Sequence, residues 1–448
     1  MSGDDTLDCD LLVIGAGMAG LSAAGWAAEH GARVVVVEKA PQIGGSAALS
    51  GGVLWTATSP ARMRLYGGGD AALADGVLQR YPQAIAWLRR RGVHVSGAMP
   101  VLHGRGYQID ILAHLQGCAL RVEQAGGHVV RSTQVQALTV DPGGRVSGAR
   151  TAHADGSVDV RARATLLASG GFQASPALRE RYIHPNARDM LLRSNPHSTG
   201  DGLLLAQAVG AAVAAPQPGF YGHLVSASPA WGEPRLHTLL SQYHSDRSLL
   251  LNEAGQRFCD ETLGDHASTW QTLQQPNRRA LCVWDARVHA QHATQPVVAI
   301  ATPMDRMAVA LEHGGRGTVA AGLDQVAAFA AAEGFDGARV AQSIAGYNAA
   351  CRGGWETLAP PRAEHAAALD APPYYALVVH PAITFSYGGL CIDTRSRVLR
   401  PDGTAVAGLY AAGADAATAF GSGYAGGLAL ALTYGLAAAQ AAGWGEAA

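Results

Sequence analysis

The fold of this chain is decided by the stretch Leu11-Leu12-Val13-Ile14-Gly15-Ala16-Gly17-Met18-Ala19-Gly20. An apolar run of strand type leads into a glycine turn that opens a helical stretch ending near His30-Gly31, the order that a pyrophosphate-binding site requires. Gly15 permits the turn, Gly17 permits a phosphate to approach the backbone, and Gly20 permits close packing of the helix. The stretch predicts a dinucleotide-binding α/β fold.

An acidic residue at the end of the second strand supports this interpretation. The strand Arg33 to Val37 leads into Glu38, which follows Gly20 by 18 residues. A carboxylate in that place can accept hydrogen bonds from the 2′ and 3′ hydroxyls of an adenosine ribose. A glycine motif alone is weak, but strand, helix and acid in this spacing together predict a bound adenine dinucleotide.

A second glycine loop, Ile43 to Gly52, favours FAD over NAD. Its bare backbone suits a pyrophosphate followed by a flat ring, and nicotinamide enzymes rarely need such a loop. Near the other end of the chain, a strand over Gly408 to Ala412 reaches a turn, and Gly421 to Gly427 then opens a long Ala/Leu helix. The N-terminus of that helix would offer unpaired N–H groups and a positive dipole end to a reduced flavin.

These residues carry a family resemblance. The chain resembles the flavoprotein superfamily of succinate dehydrogenase and fumarate reductase, in which segment Ser50 to Trp55 is most similar to the 3-ketosteroid dehydrogenases. Four other segments resemble superfamily elements: the central strand and glycine turn at Leu166 to Phe172, the "TGDG" element at Ser198 to Gly202, and the stretches Leu251 to Glu261 and Tyr387 to Asp393.

The resemblance implies FAD contacts spread over both ends of the chain. The implied cofactor-binding residues are Gly15, Gly17, Met18, Ala19, Gly20, Glu38, Lys39, Gly44, Gly45, Ser46, Ser50, Gly51, Gly52, Val135, Ala168, Ser169, Gly170, Asp201, Gly413, Asp415, Gly427, Ala429 and Leu430. Gly45 stands at the loop position where related succinate dehydrogenases attach the flavin through histidine. The resemblance therefore implies noncovalent FAD.

Length and composition are consistent with two domains. A chain of 448 residues with 48% apolar content can bury one large core and a smaller one. We expect a Rossmann-like FAD-binding domain of the glutathione-reductase type, α/β in class, with a helical insertion over Ala71 to Arg91 and a β-meander over His128 to Arg163. The predicted FAD domain is discontinuous, 1–190 and 376–448, and residues 191–375 form an inserted α+β capping and substrate domain.

Charge and cysteine use exclude several function classes. A net charge of −2 and a pI near 6.8 predict no binding of nucleic acid. The six cysteines form no CxxC pair, so we predict no metal site, iron–sulfur cluster or attached haem. Met1 to Asp5 is acidic and lacks the basic region of a signal peptide, which predicts a cytoplasmic protein. Leu428 to Ala442 is interpreted as a core helix, so no membrane span is expected.

The resemblance also shows where this chain departs from the fumarate reductases. Those enzymes clamp substrate carboxylates with Arg and His, and the matching positions here are Tyr424 and Phe385. Their proton-delivering Arg falls on Asp265. A dianion left without paired charges in a site that excludes water would cost several kcal/mol per ion. Fumarate and succinate are therefore disfavoured as substrates.

The segment Tyr424-Ala425-Gly426 resembles the Tyr-x-Gly signature of the ketosteroid dehydrogenases, whose Tyr hydroxyl and a nearby N–H hold the ketone oxygen. Leu428 stands where that subgroup has the glycine of the N–H donor. The resemblance implies a dehydrogenase that introduces a C=C bond α,β to the carbonyl of a cyclic ketone, steroid-like or smaller. An α proton goes to a base and a β hydride to flavin N5, and an unidentified acceptor reoxidises the flavin.

The identity of the base stays open among Asp265, His266, Tyr243 and Tyr221. Asp265 is alternatively the N-cap of a helix over 267–273, and Tyr424 alternatively packs on the flavin without touching substrate. His223, close to Tyr221 in an apolar loop, is a candidate pocket-lining residue. The alternative function is a fumarate-reductase-like ene-reductase acting on an activated alkene such as an enoate.

Overall fold

The computed structural model of the chain describes residues 6–154, 156–214, 219–228, 232–296 and 302–445. The segment Met1 to Asp5, on which the signal-peptide prediction rests, lies outside these ranges. In the described part, the strands are β1 (Thr6–Ile14), β2 (Val34–Val37), β3 (Val53–Ala57), β4 (Met99–Val101), β5 (Gly104–Gln108), β6 (His128–Val130), β7 (Gln134–Val140), β8 (Val146–His153), β9 (Gly156–Leu167), β10 (Leu191–Leu192), β11 (Phe220–Val225), β12 (Leu249–Leu251), β13 (Ala280–Asp285), β14 (Gly317–Ala320), β15 (Tyr374–Ser386), β16 (Gly388–Gly389), β17 (Arg397–Leu399), β18 (Ala405–Ala411) and β19 (Ala416–Ala417).

The helices of the same ranges are α1 (Met18–Glu29), α2 (Gly45–Ala48), α3 (Pro60–Gly67), α4 (Ala71–Arg90), α5 (Ile111–Gln124), α6 (Pro176–Tyr182), α7 (Asp201–Ala208), α8 (Asp265–Leu273), α9 (Ala286–Val288), α10 (Arg306–Glu312), α11 (Leu323–Ala332), α12 (Gly337–Gly353) and α13 (Gly427–Ala441). None of them combines the length and the apolar character that crossing a membrane requires.

The chain divides into two compact units. Unit 1 comprises Met1–His184, Ser194–Phe220 and Phe385–Ala448, and unit 2 comprises Pro185–Arg193 and Tyr221–Thr384. The predicted domain bounds stay a prediction, and these units differ from them in three places. Unit 2 already begins at Pro185. The segment 194–220, which contains α7, lies in unit 1, and unit 2 continues to Thr384 because the first residues of β15 pair with β13 and β14.

Unit 1 is built on a mixed sheet in the order β17-β18-β9-β1-β2-β6. β1 is parallel to β2 and to β9, so its glycine turn follows the carboxyl edge of the sheet's centre. The residues of β2 are all buried valines, as expected for a strand covered on both faces. Helix α13 packs on α1 so closely that a Cβ on Gly435 would lie 2.5 Å from the carbonyl oxygen of Ala19.

The predicted α/β class with a β-meander is confirmed, with one change of boundary. β7, β8 and β9 form the antiparallel meander. β6, expected as its first strand, instead pairs parallel to β2 in the main sheet. A run of three residues, His128–Val130, is too short for its sequence pattern to tell the two partners apart.

Unit 2 contains a sheet in the order β10-β15-β13-β12, with β11 and β14 also paired to β15. Alternate residues of β13 enter different cores: Cys282 and Trp284 join one, while Leu281 and Val283 join the other. Helices α11 and α12 cover the second core. The sheet is therefore buried on both faces, and it supports the segments that carry the polar residues described below.

Candidate active site

The first glycine turn leaves room for a ligand at one position only. Gly15 has φ +108°, and a Cβ there would lie 2.3 Å from the carbonyl oxygen of Ala168. A Cβ on Gly20 would lie 2.0 Å from the carbonyl oxygen of Gly15. A Cβ on Gly17 would meet only the carbonyl oxygen of Gly44, at 4.0 Å. The backbone of Gly17, at the start of α1, thus borders open space where a pyrophosphate fits.

Glu38 is held in place by backbone donors. Its two carboxylate oxygens accept the N–H of Ala16 and the N–H of Ala40, each at 2.8 Å. A carboxylate has about four acceptor positions, so these bonds leave acceptors for two ribose hydroxyls. The arrangement fits the predicted role, and the first glycine turn fixes the acid's orientation.

The second glycine loop is tied to the first. The N–H of Gly44 donates to the carbonyl oxygen of Ala16 at 2.7 Å, and Gly44, at φ +112°, precedes α2. Ser46 Oγ lies 3.1 Å from Ser194 Oγ. Ser50 Oγ donates to the carbonyl of Ala47 at 2.6 Å. The two loops therefore form one surface, as a single dinucleotide would need.

Two further groups of predicted FAD residues are bonded among themselves. Lys39 Nζ donates to Asp201 Oδ2 at 2.8 Å. Asp415 accepts from Ser169 Oγ at 3.1 Å and from the N–H of Gly170 at 3.2 Å, and burial raises the pKa of Asp415 to about 7. These pairs stabilise the strand ends at which the cofactor is expected.

All predicted cofactor-binding residues lie in unit 1. The remaining members are distributed as follows: Met18 and Ala19 in the first turn of α1, Gly45 in α2, Gly51 and Gly52 before β3, Val135 on β7, Ala168 after β9, Gly413 after β18, and Gly427, Ala429 and Leu430 in α13. Their individual contacts with FAD stay predictions.

Tyr424 lies just before α13 in an aromatic environment. The ring centroids of Trp55, Phe385 and Phe420 lie 5.8, 6.0 and 5.4 Å from that of Tyr424. The N–H of Gly427, in the first turn of α13, donates to Tyr424 Oη at 2.8 Å. Burial raises the pKa of Tyr424 to about 12, so the phenol keeps its proton near neutral pH. A hydroxyl that accepts a helix N–H is a better donor to a substrate oxygen.

Asp265 does not cap its helix. Gly264 is the N-cap of α8, and the carboxylate of Asp265, the first helical residue, accepts from His223 Nδ1 and from the N–H of Leu224, the latter at 3.1 Å. Burial raises the pKa of Asp265 to about 6. The alternative of an N-cap role is therefore not observed.

His223 is a neutral imidazole oriented by this carboxylate. Burial, and then the charge of Arg193, hold the pKa of His223 well below 6.5. Because Asp265 accepts at Nδ1, the proton of the ring resides there and Nε2 carries the lone pair. Sequence reasoning gave His223 only a lining role, since nothing local links it to a residue 42 positions away.

The candidate acid–base cluster of unit 2 comprises Tyr221, His223, Tyr243, Asp265 and His266. Ring centroids of Tyr221 and His266 lie 4.4 Å apart, and those of His223 and Tyr243 lie 4.9 Å apart. The structure thus brings together every predicted catalytic residue of unit 2, while Tyr424 lies in unit 1. Which of them touches substrate stays a prediction.

The same cluster has one group with metal-compatible spacing. Ligand atoms of His223, Asp265 and His266 all lie within 4.8 Å of one another. Both imidazole Nδ1 atoms are already engaged, in His223 by Asp265 and in His266 by the carbonyl oxygen of Gly222 at 2.8 Å. The arrangement is that of an acid–base group, and the expectation of no metal stays a prediction.

Two buried arginines beside the cluster were not identified from the sequence. Arg193 donates to three hydroxyls, through Nε to Ser241 at 2.8 Å, Nη1 to Thr384 at 3.0 Å and Nη2 to Tyr243 at 2.7 Å. The guanidinium carbon of Arg306 lies 5.1 Å from the ring centroid of Tyr243. No sequence signal marks them, because their partners are mostly distant in the chain.

Comparison with known proteins gives a family match over most of the chain. A family model described as "FAD binding domain" matches residues 10–428. A urocanate reductase of Eggerthella lenta is 27% identical over 454 residues, covering 93% of this chain and 71% of the relative. A 3-oxosteroid 1-dehydrogenase of Mycobacterium tuberculosis is 26% identical over 547 residues, covering 93% of this chain and 94% of the relative.

The fold is similar to that of a solved 3-ketosteroid delta1-dehydrogenase from Sterolibacterium denitrificans, in complex with 1,4-androstadiene-3,17-dione. The TM-score is 0.77 at 18% sequence identity, over 97% of this chain and 99% of that one. At this identity the similarity concerns the fold alone.

Proposed function

We propose, from the premise that this chain belongs to the FAD binding domain family, that it introduces a C=C bond α,β to the carbonyl of a cyclic ketone. The chain is an FAD-dependent oxidoreductase whose relatives act on CH–CH or C=C bonds. The choice of a cyclic ketone, steroid-like or smaller, and of noncovalent FAD, is the proposal. The observation that carries it is the His223–Asp265 pair.

In this reaction the ketone loses a proton from its α carbon and a hydride from its β carbon, which leaves a conjugated enone. FAD, when bound, supplies the hydride acceptor. The protein must therefore provide a donor for the carbonyl oxygen, which makes the α C–H more acidic by stabilising the enolate, and a base that takes the α proton.

His223 is the base in this proposal. Its Nε2 lone pair takes the α proton, and the carboxylate of Asp265 holds the ring in the required tautomer and stabilises the imidazolium that forms. A positioned base contributes about 10²- to 10⁴-fold to the rate. Asp265 is a positioning residue, since it acts through His223.

Tyr424 is the donor to the ketone oxygen. Its phenol stays protonated, its oxygen already accepts the N–H of Gly427, and its neighbours Trp55, Phe385 and Phe420 are aromatic. An apolar environment strengthens a hydrogen bond to a developing enolate oxygen. It also favours a flat apolar ring as substrate.

Reduction of an activated alkene such as an enoate is the second candidate. The relative named as a urocanate reductase supports it, and the same acid–base pair would deliver a proton in that direction. Both candidates use the same bond type and differ in direction and substrate.

The test is a pair of anaerobic assays on the holoprotein. One follows bleaching of the flavin absorbance by cyclic ketones of increasing size, and the other follows enoate-dependent oxidation of a reduced viologen. We expect bleaching by at least one ketone. Turnover in the viologen assay alone would replace the first proposal by the second.

The variant Tyr424→Phe tests the donor. It should keep bound FAD but reduce the rate of bleaching by roughly 10²-fold or more, as for loss of one oxyanion donor. Tyr410→Phe, whose hydroxyl donates to the carbonyl of Ala441 at 3.3 Å, is the matched control and should retain the wild-type rate. An unchanged rate in Tyr424→Phe would remove this residue from the mechanism.

A further inference from the structure

The strongest feature of unit 2 that the proposed reaction does not use is a pair of buried guanidinium groups on either side of one phenol. Arg193 is 9% exposed and donates to Tyr243 Oη, and Arg306 is 8% exposed and lies over the ring of the same tyrosine. Two positive charges are therefore buried around Tyr243.

Among the residues that the structure describes, neither guanidinium group forms an ion pair. Among the described residues of unit 2, no carboxylate oxygen lies within 4.0 Å of the guanidinium nitrogens of Arg193 or Arg306. In the described part of the chain, the hydrogen bonds of the Arg193 guanidinium group all go to hydroxyls. Arg306 has a weak bond at 3.4 Å to the carbonyl of Gln295, and its Nε has no hydrogen-bond partner within the described ranges. Asp265, the acid of the cluster, is occupied by His223 and Leu224.

The same unit neutralises its other buried arginines. Arg362 and Arg257 both donate to the carboxylate of Glu261, which is fully buried. A buried charge without an ion-pair partner costs several kcal/mol, and an anionic ligand would offset this cost. The contrast with Glu261 marks the Arg193–Tyr243–Arg306 group as incomplete.

The hydrogen-bond donors of this group that have no acceptor among the described residues are suited to binding a carboxylate. Three of the five N–H groups of Arg193 are engaged, which leaves two, and Arg306 has its Nε–H. Tyr243 Oη accepts from Arg193, so its own O–H proton is available to a further acceptor. Planar guanidinium donors match a carboxylate, which accepts at both oxygens.

We infer that Arg193, Tyr243 and Arg306 form an anion-binding subsite that takes a carboxylate group carried by the substrate. This inference rests on the proposed function and narrows its substrate class to a ring ketone that also bears a carboxylate. A single carboxylate is compatible with the argument against fumarate and succinate, which concerned dianions at the positions of Tyr424, Phe385 and Asp265.

Calorimetric titration of the oxidised holoprotein tests the subsite without turnover. The probes are cyclohexanecarboxylate, benzoate and 4-oxocyclohexanecarboxylate, each compared with its methyl ester. We expect at least one carboxylate to bind tenfold or more tightly than its ester. Equal affinity within every pair, or no binding of any carboxylate at millimolar concentration, would overturn the inference.

Variants locate the site. Arg193→Met and Arg306→Met should each weaken carboxylate binding at least tenfold and leave ester binding unchanged, while Arg352→Met, at a 63% exposed side chain of the same unit, should change neither. Arg193→Lys should restore part of the loss. Wild-type carboxylate affinity in both methionine variants would place the anion elsewhere and refute the assignment.

Circular dichroism and bound FAD content establish that each variant is folded. The two proposals fail separately, since carboxylates can bind to a protein whose flavin no ketone bleaches, and a neutral ketone can bleach the flavin of a protein that binds no carboxylate.

Discussion

Replacing Asp265 by asparagine separates the activity of unit 2 from its stability. The carboxylate accepts from His223 Nδ1 and from the N–H of Leu224. Asparagine keeps the shape but loses the charge that fixes the tautomer of His223. The base is worth about 10²- to 10⁴-fold, which corresponds to about 2.7–5.4 kcal/mol of activation free energy. We expect flavin bleaching by ketone to slow by that factor.

The effect on the free energy of unfolding should have the opposite sign. Burial raises the pKa of Asp265 from 3.8 to about 6, so the folded state binds this proton more tightly than the unfolded state does. Stability is then lost as the pH rises from 3.8 to 6, and the charged form costs the fold about 3 kcal/mol at pH 7. Asp265→Asn should melt at the same temperature as wild type or higher.

Stopped-flow bleaching between pH 5 and 8 is the assay. The wild-type rate should rise with a midpoint near pH 6, as Asp265 ionises, and the variant should lack this limb. Asp246→Asn, in which the lost carboxylate pairs with Arg247 at a partly exposed place, is the control and should behave as wild type. A variant rate within threefold of wild type with the same pH profile would refute the role assigned to the pair.

Gly17→Ala should fold but bind FAD at least tenfold more weakly by fluorescence titration, and an affinity equal to that of wild type would contradict the assigned pyrophosphate site. Gly20→Ala should instead lower the melting temperature of the apoprotein, because its Cβ would lie 2.0 Å from a backbone oxygen. Glu261→Gln should lower the free energy of unfolding in urea by about 3–5 kcal/mol because two buried arginines lose their partner, against less than 1 kcal/mol for the exposed Glu233→Gln. Similar losses of unfolding free energy in the two variants would show that the buried Glu261 carboxylate stabilises the fold no more than an exposed one. Burial lowers the pKa of His114 to about 3. Below pH 6.5 the unfolded chain therefore binds a proton that the folded chain does not bind, and the free energy of unfolding decreases as the pH falls. Between pH 6.5 and 5, His114→Gln should therefore lose about 2 kcal/mol less than wild type in urea titrations, and equal losses would contradict this.

The parts of the fold that local sequence determines were predictable. The strand, turn and helix from Leu11 to Gly20, the acid at Glu38 and the helix after Gly427 are all present, because each depends on neighbours within a few residues. The sheet to which each apolar strand belongs could not be predicted in this way. The sequence of Tyr374 to Val379 is that of a buried strand and fits either unit. Only its pairing with β13 and β14 assigns this segment to unit 2.

The candidate site divides in the same way. Tyr424 and Asp265 were found because they replace arginines in recognisable motifs. His223 and Arg193 were not given their roles, because their partners lie 42 and up to 191 residues away along the chain. Burial without a counter-charge is a property of packing, and composition does not reveal it.

The order of elements in unit 1 has a consequence for how the chain is made. β18, beginning at Ala405, pairs with β9, and α13 packs on α1, so the sheet begun by Thr6–Ile14 gains this strand only long after its first strand has been synthesised. The 391 residues from Ile14 to Ala405 take roughly 20–80 s to synthesise at 5–20 residues per second. During that interval β9 lacks this neighbour, and its unpaired edge is open to pairing with other polypeptides.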